Sequence, residues 1–219
     1  MPRAILFANG EPPQPDFVRQ LLRPDDILIA ADGGARHAAR LGLTPAIIIG
    51  DFDSLTAAEL SQFSRAGARL ERYPPAKDQT DLELALEQAL SLGCAPILLI
   101  GAYGGRLDHA LGILSLLSDP ACIAAAARAE DGQTTAFFID QQAEIEGAPG
   151  DSLSLIAWGR PAEGVTTSGL QYPLQAETLS PHRTRGISNV LTGSTATVRL
   201  TSGLLLCIHS RAERLIPKS

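Results

Sequence analysis

The sequence predicts an α/β N-terminal domain, a mostly parallel sheet with helices on both faces, followed by an all-β antiparallel sandwich domain. Three observations carry that prediction. Short apolar runs alternate with helical stretches over the first two-thirds of the 219 residues. The helical pattern stops near Gly147, and alternating or β-branched runs broken by Gly, Pro and Ser take over. Gly147-Ala148-Pro149-Gly150 sits at that change and divides the chain into 1–147 and 148–219.

The elements follow in order. Residues 3–8, 26–31, 46–49, 68–73, 96–100 and 134–139 read as six short strands, most of them apolar runs ended by Gly or Pro. Helices are expected at 17–22, at 35–41 with Gly42 as the stop, at 56–66, at 80–92 and at 108–117. Thr56 is the N-cap of its helix, with Glu59 placed to complete a capping box. In 80–92, Leu82, Ala85, Leu86, Ala89 and Leu90 recur at helical spacing. A further helix is expected over 122–129, after Pro120. In the C-terminal part, 152–158, 163–168, 196–200 and 204–209 read as strands.

Composition narrows the function. Hydrophobic residues make 45% and charged residues 19%, a globular balance that excludes a disordered or low-complexity chain. With 24 acidic against 18 basic residues the net charge is −6, which argues against a double-stranded nucleic-acid partner. No apolar run approaches the ~18 residues of a membrane span, so no membrane partner is expected. Asn9-Gly10-Glu11-Pro12-Pro13 interrupts the first apolar stretch too early for a secretory signal. Cys94, Cys122 and Cys207 are odd in number, lack metal spacing and lie among apolar residues, as in a reducing cytoplasm.

In an open α/β sheet, ligands bind outside the carboxyl ends of the strands. Four clusters fall there. Ala31-Asp32-Gly33-Gly34 leads strand two into a helix, where glycines permit close backbone approach and a helix start favours an anion. The same residues also read as an ordinary strand–turn–helix capped by Asp32. Gly50-Asp51-Phe52-Asp53-Ser54 follows strand three; two carboxylates at i and i+2, with no His or Cys nearby, suit Mg²⁺. Phe52 between them is read as the anchor of that loop.

Lys77-Asp78-Gln79-Thr80-Asp81 opens a helix, and Lys77 is one of only two lysines, the other being Lys218. A lysine there can neutralise phosphate charge, while the acids also suit the helix dipole. Gly104-Gly105-Arg106-Leu107-Asp108-His109 combines flexible glycines, an arginine and an Asp-His pair at a helix start, a pattern that fits phosphate binding. There is no G-x-x-x-x-G-K-[ST], no G-x-G-x-x-G and no Ser-His-Asp elbow. The residues themselves point to Mg²⁺-dependent transfer or hydrolysis on a phosphorylated nucleotide.

The ordered set ADGG (31–34), GDFDS (50–54), YPPAKDQTDLELAL (73–86) and GGRLDH (104–109) resembles the thiamine pyrophosphokinase family. GLQYPL (169–174) and GISNVLTGSTATVRLTSGLLLCI (186–208) resemble that family's second domain, so the likeness spans about residues 3–208. The resemblance implies transfer of the diphosphate of ATP to the hydroxyethyl group of thiamine, with release of AMP. It implies a homodimer in which thiamine lies between the α/β domain of one subunit and the β domain of the other. By position, Asp32, Asp51, Asp53, Asp81 and Asp108 would form the acidic Mg²⁺ and ATP site, with Asp51, Asp53 and Asp81 on the metal. Gly33, Gly34, Gly104 and His109 would border the nucleotide, and Lys77 and Arg106 would meet phosphate. Gln79 would contact the pyrimidine, and Tyr172, Ser188 and Asn189 would complete the thiamine pocket.

Two positions depart from the family pattern. Tyr172 stands where members often carry Trp, which leaves a smaller stacking face. Ile113 stands where many members carry Asn, which removes a polar contact near the nucleotide. Two other readings of the set are a pyrophosphokinase for another heteroaromatic alcohol, such as a hydroxymethyl-pterin, and a non-catalytic nucleotide or thiamine-diphosphate sensor.

Overall fold

Runs of four or five apolar residues are too short for helices and become the strands of a parallel sheet. In the computed structural model, which describes residues 1–212, these are β1 (Ala4–Phe7), β2 (Ile27–Ala31), β3 (Ile47–Gly50) and β5 (Ile97–Ile100). The more polar β4 (Arg69–Arg72) forms an edge beyond β3, as half-exposed composition requires, and β6 (Arg128–Glu130) lies beyond β5. The order is β6-β5-β1-β2-β3-β4, every pairing parallel.

Between the strands run α1 (Pro15–Leu21), α2 (Gly34–Arg40), α3 (Ala57–Arg65), α4 (Asp81–Ser91), α5 (Leu107–Leu117) and α6 (Pro120–Ala124). Alternate strand residues face opposite sides. Ile5, Phe7, Ala30, Ile48, Leu98 and Ile100 join one buried cluster with Val18 of α1, Ala35 and Ala38 of α2, and Phe63 of α3. Leu6, Ile29, Ile49 and Leu99, which point the other way, are equally buried. There α4 packs across β1, β2 and β3 and buries Leu82, Ala85, Leu86 and Ala89.

The expected caps are present. The Thr56 side chain accepts from Glu59 N while Glu59 reaches back to the Thr56 backbone, a complete capping box on α3. Thr80 caps α4 by accepting from Glu83 N at 3.1 Å.

The stretch 122–139 differs from expectation. The Ala-rich run after Pro120 has helix propensity, yet α6 ends at Ala124. Ala126 takes a left-handed φ of 48°, and Ala127 N bonds back to Cys122 O. The chain beyond is captured by β5, with Leu98 opposite Arg128 and Leu99 opposite Ala129. The sixth parallel strand is therefore 128–130. The run at 134–139 is a strand, β7 (Thr134–Ile139), but it pairs antiparallel with the C-terminal strand β14 (Leu205–Ser210). The first compact unit is Met1–Gly132 and the second begins at Gln133. Gly147, where the break was expected, lies inside the second unit just after its strand at 142–146, its N–H on Ser194 O.

The second unit adds β8 (Gln142–Glu146), β9 (Ser152–Ala157), β10 (Ala162–Ser168), β11 (Glu177–Leu179), β12 (Asn189–Val190) and β13 (Thr195–Arg199). Two antiparallel sheets result, ordered β12-β9-β14-β7 and β11-β10-β13-β8. Ile145, Leu153, Leu155, Val165, Leu179, Val198 and Leu205 fill the core between them. Among the described residues no helix is long and apolar enough to cross a membrane. Lys218 lies outside the described residues.

Candidate active site

Acidic residues collect where β2 and β3 end. Asp32 follows β2 directly, with φ of 42° and its N–H on Ile49 O at 2.8 Å. That bond pins it to the neighbouring strand and turns its carboxylate toward the loop after β3. The carboxylates of Asp32, Asp51 and Asp53 offer ligand atoms that all lie within 4.8 Å of one another. Asp32 is buried, and its Oδ1 has no hydrogen-bond partner. A buried carboxylate oxygen left bare is costly, so the position asks for a cation. Hard oxygen donors in this number suit Mg²⁺ more than a transition metal.

Asp32 is thus a member of the acidic cluster and does not cap α2 through its side chain. Asp51 Oδ1 accepts the N–H of Asp53 at 3.0 Å, and Phe52 between them is buried with φ of 65°. The left-handed residue folds the turn sharply. Both carboxylates thereby stay beside Asp32.

Asp81, the first residue of α4, stands against this cluster. A Cβ on Gly50 would lie 3.0 Å from Asp32 Cβ and 3.2 Å from Asp81 Oδ2, so only glycine lets these acids approach. Lys77 Nζ lies 2.9 Å from Asp81 Oδ1, an ion-pair distance outside hydrogen-bond alignment. Burial pushes the Asp81 carboxyl above the usual range; Lys77 opposes that shift, and Asp51 and Asp32 add to it. Lys77 also donates to Pro74 O at 3.3 Å.

The remaining predicted residues have local partners. Gly34 packs so closely that a Cβ would lie 2.0 Å from Phe7 O, and one on Gly33 would meet the Asn9 side chain at 2.6 Å. Gly34 therefore has a packing reason, independent of any ligand, whereas the neighbour of Gly33 is the movable end of a side chain. Gln79 Nε2 donates to Glu87 at 2.7 Å. Arg106 grips Asp108 through two bonds on the surface and holds its carboxyl at about 2. Asp108 is not part of the gathered acidic group. His109 is exposed and donates its backbone N–H to Asp108. Gly104, with φ of 79°, is exposed, and only the end of the Glu11 side chain lies over it.

Two arrangements escaped the sequence. The crevice rule marks the gap between β1 and β5, where the connections run to opposite sides. That gap is bridged: Gly10 N bonds Gly101 O, Glu11 N bonds Tyr103 O, and buried His37 contacts Gly10 O through Nε2 at 3.1 Å. Burial pushes the His37 ring toward its neutral form. Arg72, the last residue of β4, bonds Asp51 O at 2.6 Å and stacks over Phe52. No local motif announces either residue, because each works through a backbone carbonyl more than twenty positions away in the chain.

In the second unit Tyr172 is 55% exposed, its ring open to solvent. Ser188 adopts φ of 60° and donates its N–H to Ser154 Oγ. Asn189 is buried and spends its amide on the backbone of Tyr172.

Known proteins share both units. A family model described as "Thiamin pyrophosphokinase, catalytic domain" matches residues 18–125. A second, "Thiamin pyrophosphokinase, vitamin B1 binding domain", matches residues 139–205. The chain is 33% identical over 184 residues to a Thiamine pyrophosphokinase of Bacillus subtilis (strain 168), covering 83% of this chain and 86% of that one. It is 25% identical over 235 residues to Thiamine pyrophosphokinase 1 of Oryza sativa subsp. japonica, covering 95% and 87%. A crystal structure of the Bacillus subtilis Thiamine pyrophosphokinase superposes with a TM-score of 0.84 at 28% identity, over 95% of this chain and 99% of that one. Yeast Thiamin Pyrophosphokinase, at 18% identity, shares the fold with a TM-score of 0.74 over 100% of this chain and 89% of that one.

Proposed function

Because the chain belongs to the thiamin pyrophosphokinase family and so forms thiamine diphosphate from thiamine and ATP, we propose that its carboxylate cluster of Asp32, Asp51 and Asp53 holds Mg²⁺ for that transfer. The observation that carries the metal reading is the convergence of three carboxylates around a buried, unpartnered Asp32 oxygen. Asp81, grouped with Asp51 and Asp53 on the metal by the resemblance, is assigned here to the edge of the site with Lys77. When bound, Mg²⁺ would neutralise charge on the ATP phosphates.

In the transfer, the thiamine hydroxyl oxygen forms a bond to the β-phosphorus of ATP. The bond from that phosphorus to the bridging oxygen of AMP breaks, and the hydroxyl proton is lost. The chain's own residues position and neutralise. Asp81 is the group assigned to orient the hydroxyl and take its proton. Its place beside Lys77 and against the carboxylate cluster supports that role. Lys77 leaves its pairing with Asp81 to meet phosphate, and Arg106 meets phosphate from the surface loop. Gly33, Gly34, Gly104, Asp108 and His109 border the nucleotide in this reading.

Thiamine is assigned to Tyr172, Ser188 and Gln79, with Asn189 supporting Tyr172 from behind. The open face of Tyr172 offers a cationic heteroaromatic ring a stacking partner. We assign the complete pocket to a homodimer, with thiamine between the α/β unit of one subunit and the β unit of the other. Leu107 and Leu111, one turn apart on α5 and 74% and 51% exposed, support a subunit contact. The three free, buried cysteines support a cytoplasmic, reducing setting.

The test of the metal assignment is Asp51→Asn, with melting temperature and AMP release measured together. The expected result is an intact fold with AMP release nearly abolished. Turnover close to wild type at ordinary Mg²⁺ would overturn the assignment.

A further inference from the structure

We propose that Arg72 is a positioning residue for the metal-binding turn, holding Asp51 and Asp53 in their convergent geometry without touching either carboxylate. The proposal rests on the metal reading above and deepens it. In the parallel pairing of β3 with β4, Arg72 lies opposite Gly50, so its side chain starts beside the turn that follows. One guanidinium nitrogen donates to the backbone carbonyl of Asp51 at 2.6 Å. The guanidinium carbon stands 4.7 Å from the centroid of the Phe52 ring. At this spacing a cation is attracted to the ring face.

Those two contacts meet the turn at its weakest point. Phe52 is a non-glycine residue in the left-handed region, φ 65°, a conformation that persists only when its surroundings impose it. Its ring is sunk in the core of the first unit, among Ile48, Leu55 and Phe63. Arg72 covers the ring from outside, and Asp53 N closes the turn on Asp51 Oδ1. With the backbone so held, the i and i+2 carboxylates share one side with Asp32. Arg72 is charged but makes no ion pair with these acids among the described residues. It therefore steadies the turn without consuming an oxygen a cation needs. Lysine could imitate the charge but not the planar stacking and fixed fork of donors.

The experiment measures Mn²⁺ binding to the full chain by electron paramagnetic resonance of the free ion, without ATP or thiamine. Wild type, Asp51→Asn, Arg72→Ala, Arg72→Lys and Phe52→Leu are compared, with melting temperatures for each. Loss of a partner that orients metal ligands lowers metal affinity by about 10–100-fold, and that is the effect expected for Arg72→Ala. Arg72→Lys should fall between Arg72→Ala and wild type. In turnover assays the Arg72→Ala defect should appear as a raised Mg²⁺ requirement that saturating metal relieves. If Asp51→Asn loses Mn²⁺ while Arg72→Ala binds like wild type, the positioning role is overturned and the metal site stands. If neither variant changes Mn²⁺ binding, the metal reading fails and this proposal with it. Unchanged Mn²⁺ binding with a raised KM for ATP alone would make Arg72 a phosphate contact and overturn the proposal. Should Arg72→Ala fail to fold, Arg72→Lys decides: it keeps the charge but loses the planar face and the fixed fork of donors, and Mn²⁺ affinity equal to wild type there overturns the proposal.

Discussion

Asn189 holds both backbone polar atoms of Tyr172. Its Oδ1 accepts the Tyr172 N–H at 3.0 Å, and its Nδ2 donates to the Tyr172 carbonyl at 2.7 Å. The same Oδ1 also accepts from Val190 N. The motif likeness places both residues in one substrate pocket, but the geometry separates their work. Tyr172 presents an open ring, and the buried Asn189 fixes where that ring stands. Asn189→Ala should therefore raise KM for thiamine more than it lowers kcat. It should also destabilise the β unit by about 1–3 kcal/mol, because the Tyr172 backbone loses its partners. Steady-state kinetics with varied thiamine, beside thermal melting, checks both. An unchanged KM with a lowered melting temperature would leave Asn189 a purely structural residue.

Asp81→Asn is expected to trade activity for stability. Burial, reinforced by Asp51 and Asp32, holds the Asp81 carboxyl above its ordinary range. The folded chain then keeps a proton that the unfolded chain has released, so between the two pKa values stability falls as pH rises. Above that window the charged Asp81 costs stability in full. An asparagine removes the charge and still offers Lys77 an oxygen, so with divalent metal chelated its melting temperature at pH 7 should exceed that of wild type. The difference should shrink as pH falls through the folded pKa of Asp81. Turnover should drop by about 10²–10⁴, the usual contribution of a positioned base. A variant melting below wild type at neutral pH would contradict this account of the site.

The parts of the fold that local chemistry dictates were legible in the residues. Four apolar runs, at β1, β2, β3 and β5, mark the parallel sheet, and Thr56 with Glu59 marks the start of α3. The i, i+2 pair of Asp51 and Asp53 marks the acidic turn, and Phe52 is the buried anchor expected between them. What local chemistry does not dictate was not legible. The run 122–129 has the propensity of a helix, and only the open edge of β5 turns its end into β6. β7 alternates like any strand, but its partner β14 lies about seventy residues on, beyond the reach of periodicity. Arg72 acts through a cross-strand neighbour and carries no local signal. The gathering of Asp32 with Asp51 and Asp53, which the family likeness already implied, has its physical cause in the adjacency of β2 and β3.

Gly34 and Gly105 should respond very differently to alanine. At Gly34 a Cβ would sit 2.0 Å from the carbonyl of Phe7, a backbone atom in the central strand that has no room to yield. At Gly105 nothing lies within 4 Å, and the only penalty is a left-handed φ of 68°. Gly105→Ala should cost about 1–2 kcal/mol. Gly34→Ala should cost at least about 4 kcal/mol or yield no folded protein, the range reserved for a core that cannot accommodate the change. Denaturant melts of the two variants make the comparison. Similar losses at both positions would mean that α2 can move off β1.

The proposed homodimer predicts complementation between two inactive chains. Asp51→Asn damages the acidic turn of the first unit, and Tyr172→Ala removes the exposed ring of the second. If each pocket combines the first unit of one subunit with the second unit of its partner, a heterodimer of the two variants carries both lesions in one pocket and none in the other. Its activity should reach half that of a wild-type dimer. Random exchange of an equal mixture makes about half of the dimers heterodimers, so the mixture should recover about a quarter of wild-type activity. Native mass spectrometry of the mixture reports the exchange, and AMP release reports the activity. If each pocket were instead built within a single subunit, every pocket in every dimer would carry one lesion, and no activity would return. Exchanged heterodimers without recovery would therefore place Asp51 and Tyr172 of one chain in the same pocket and overturn the shared site.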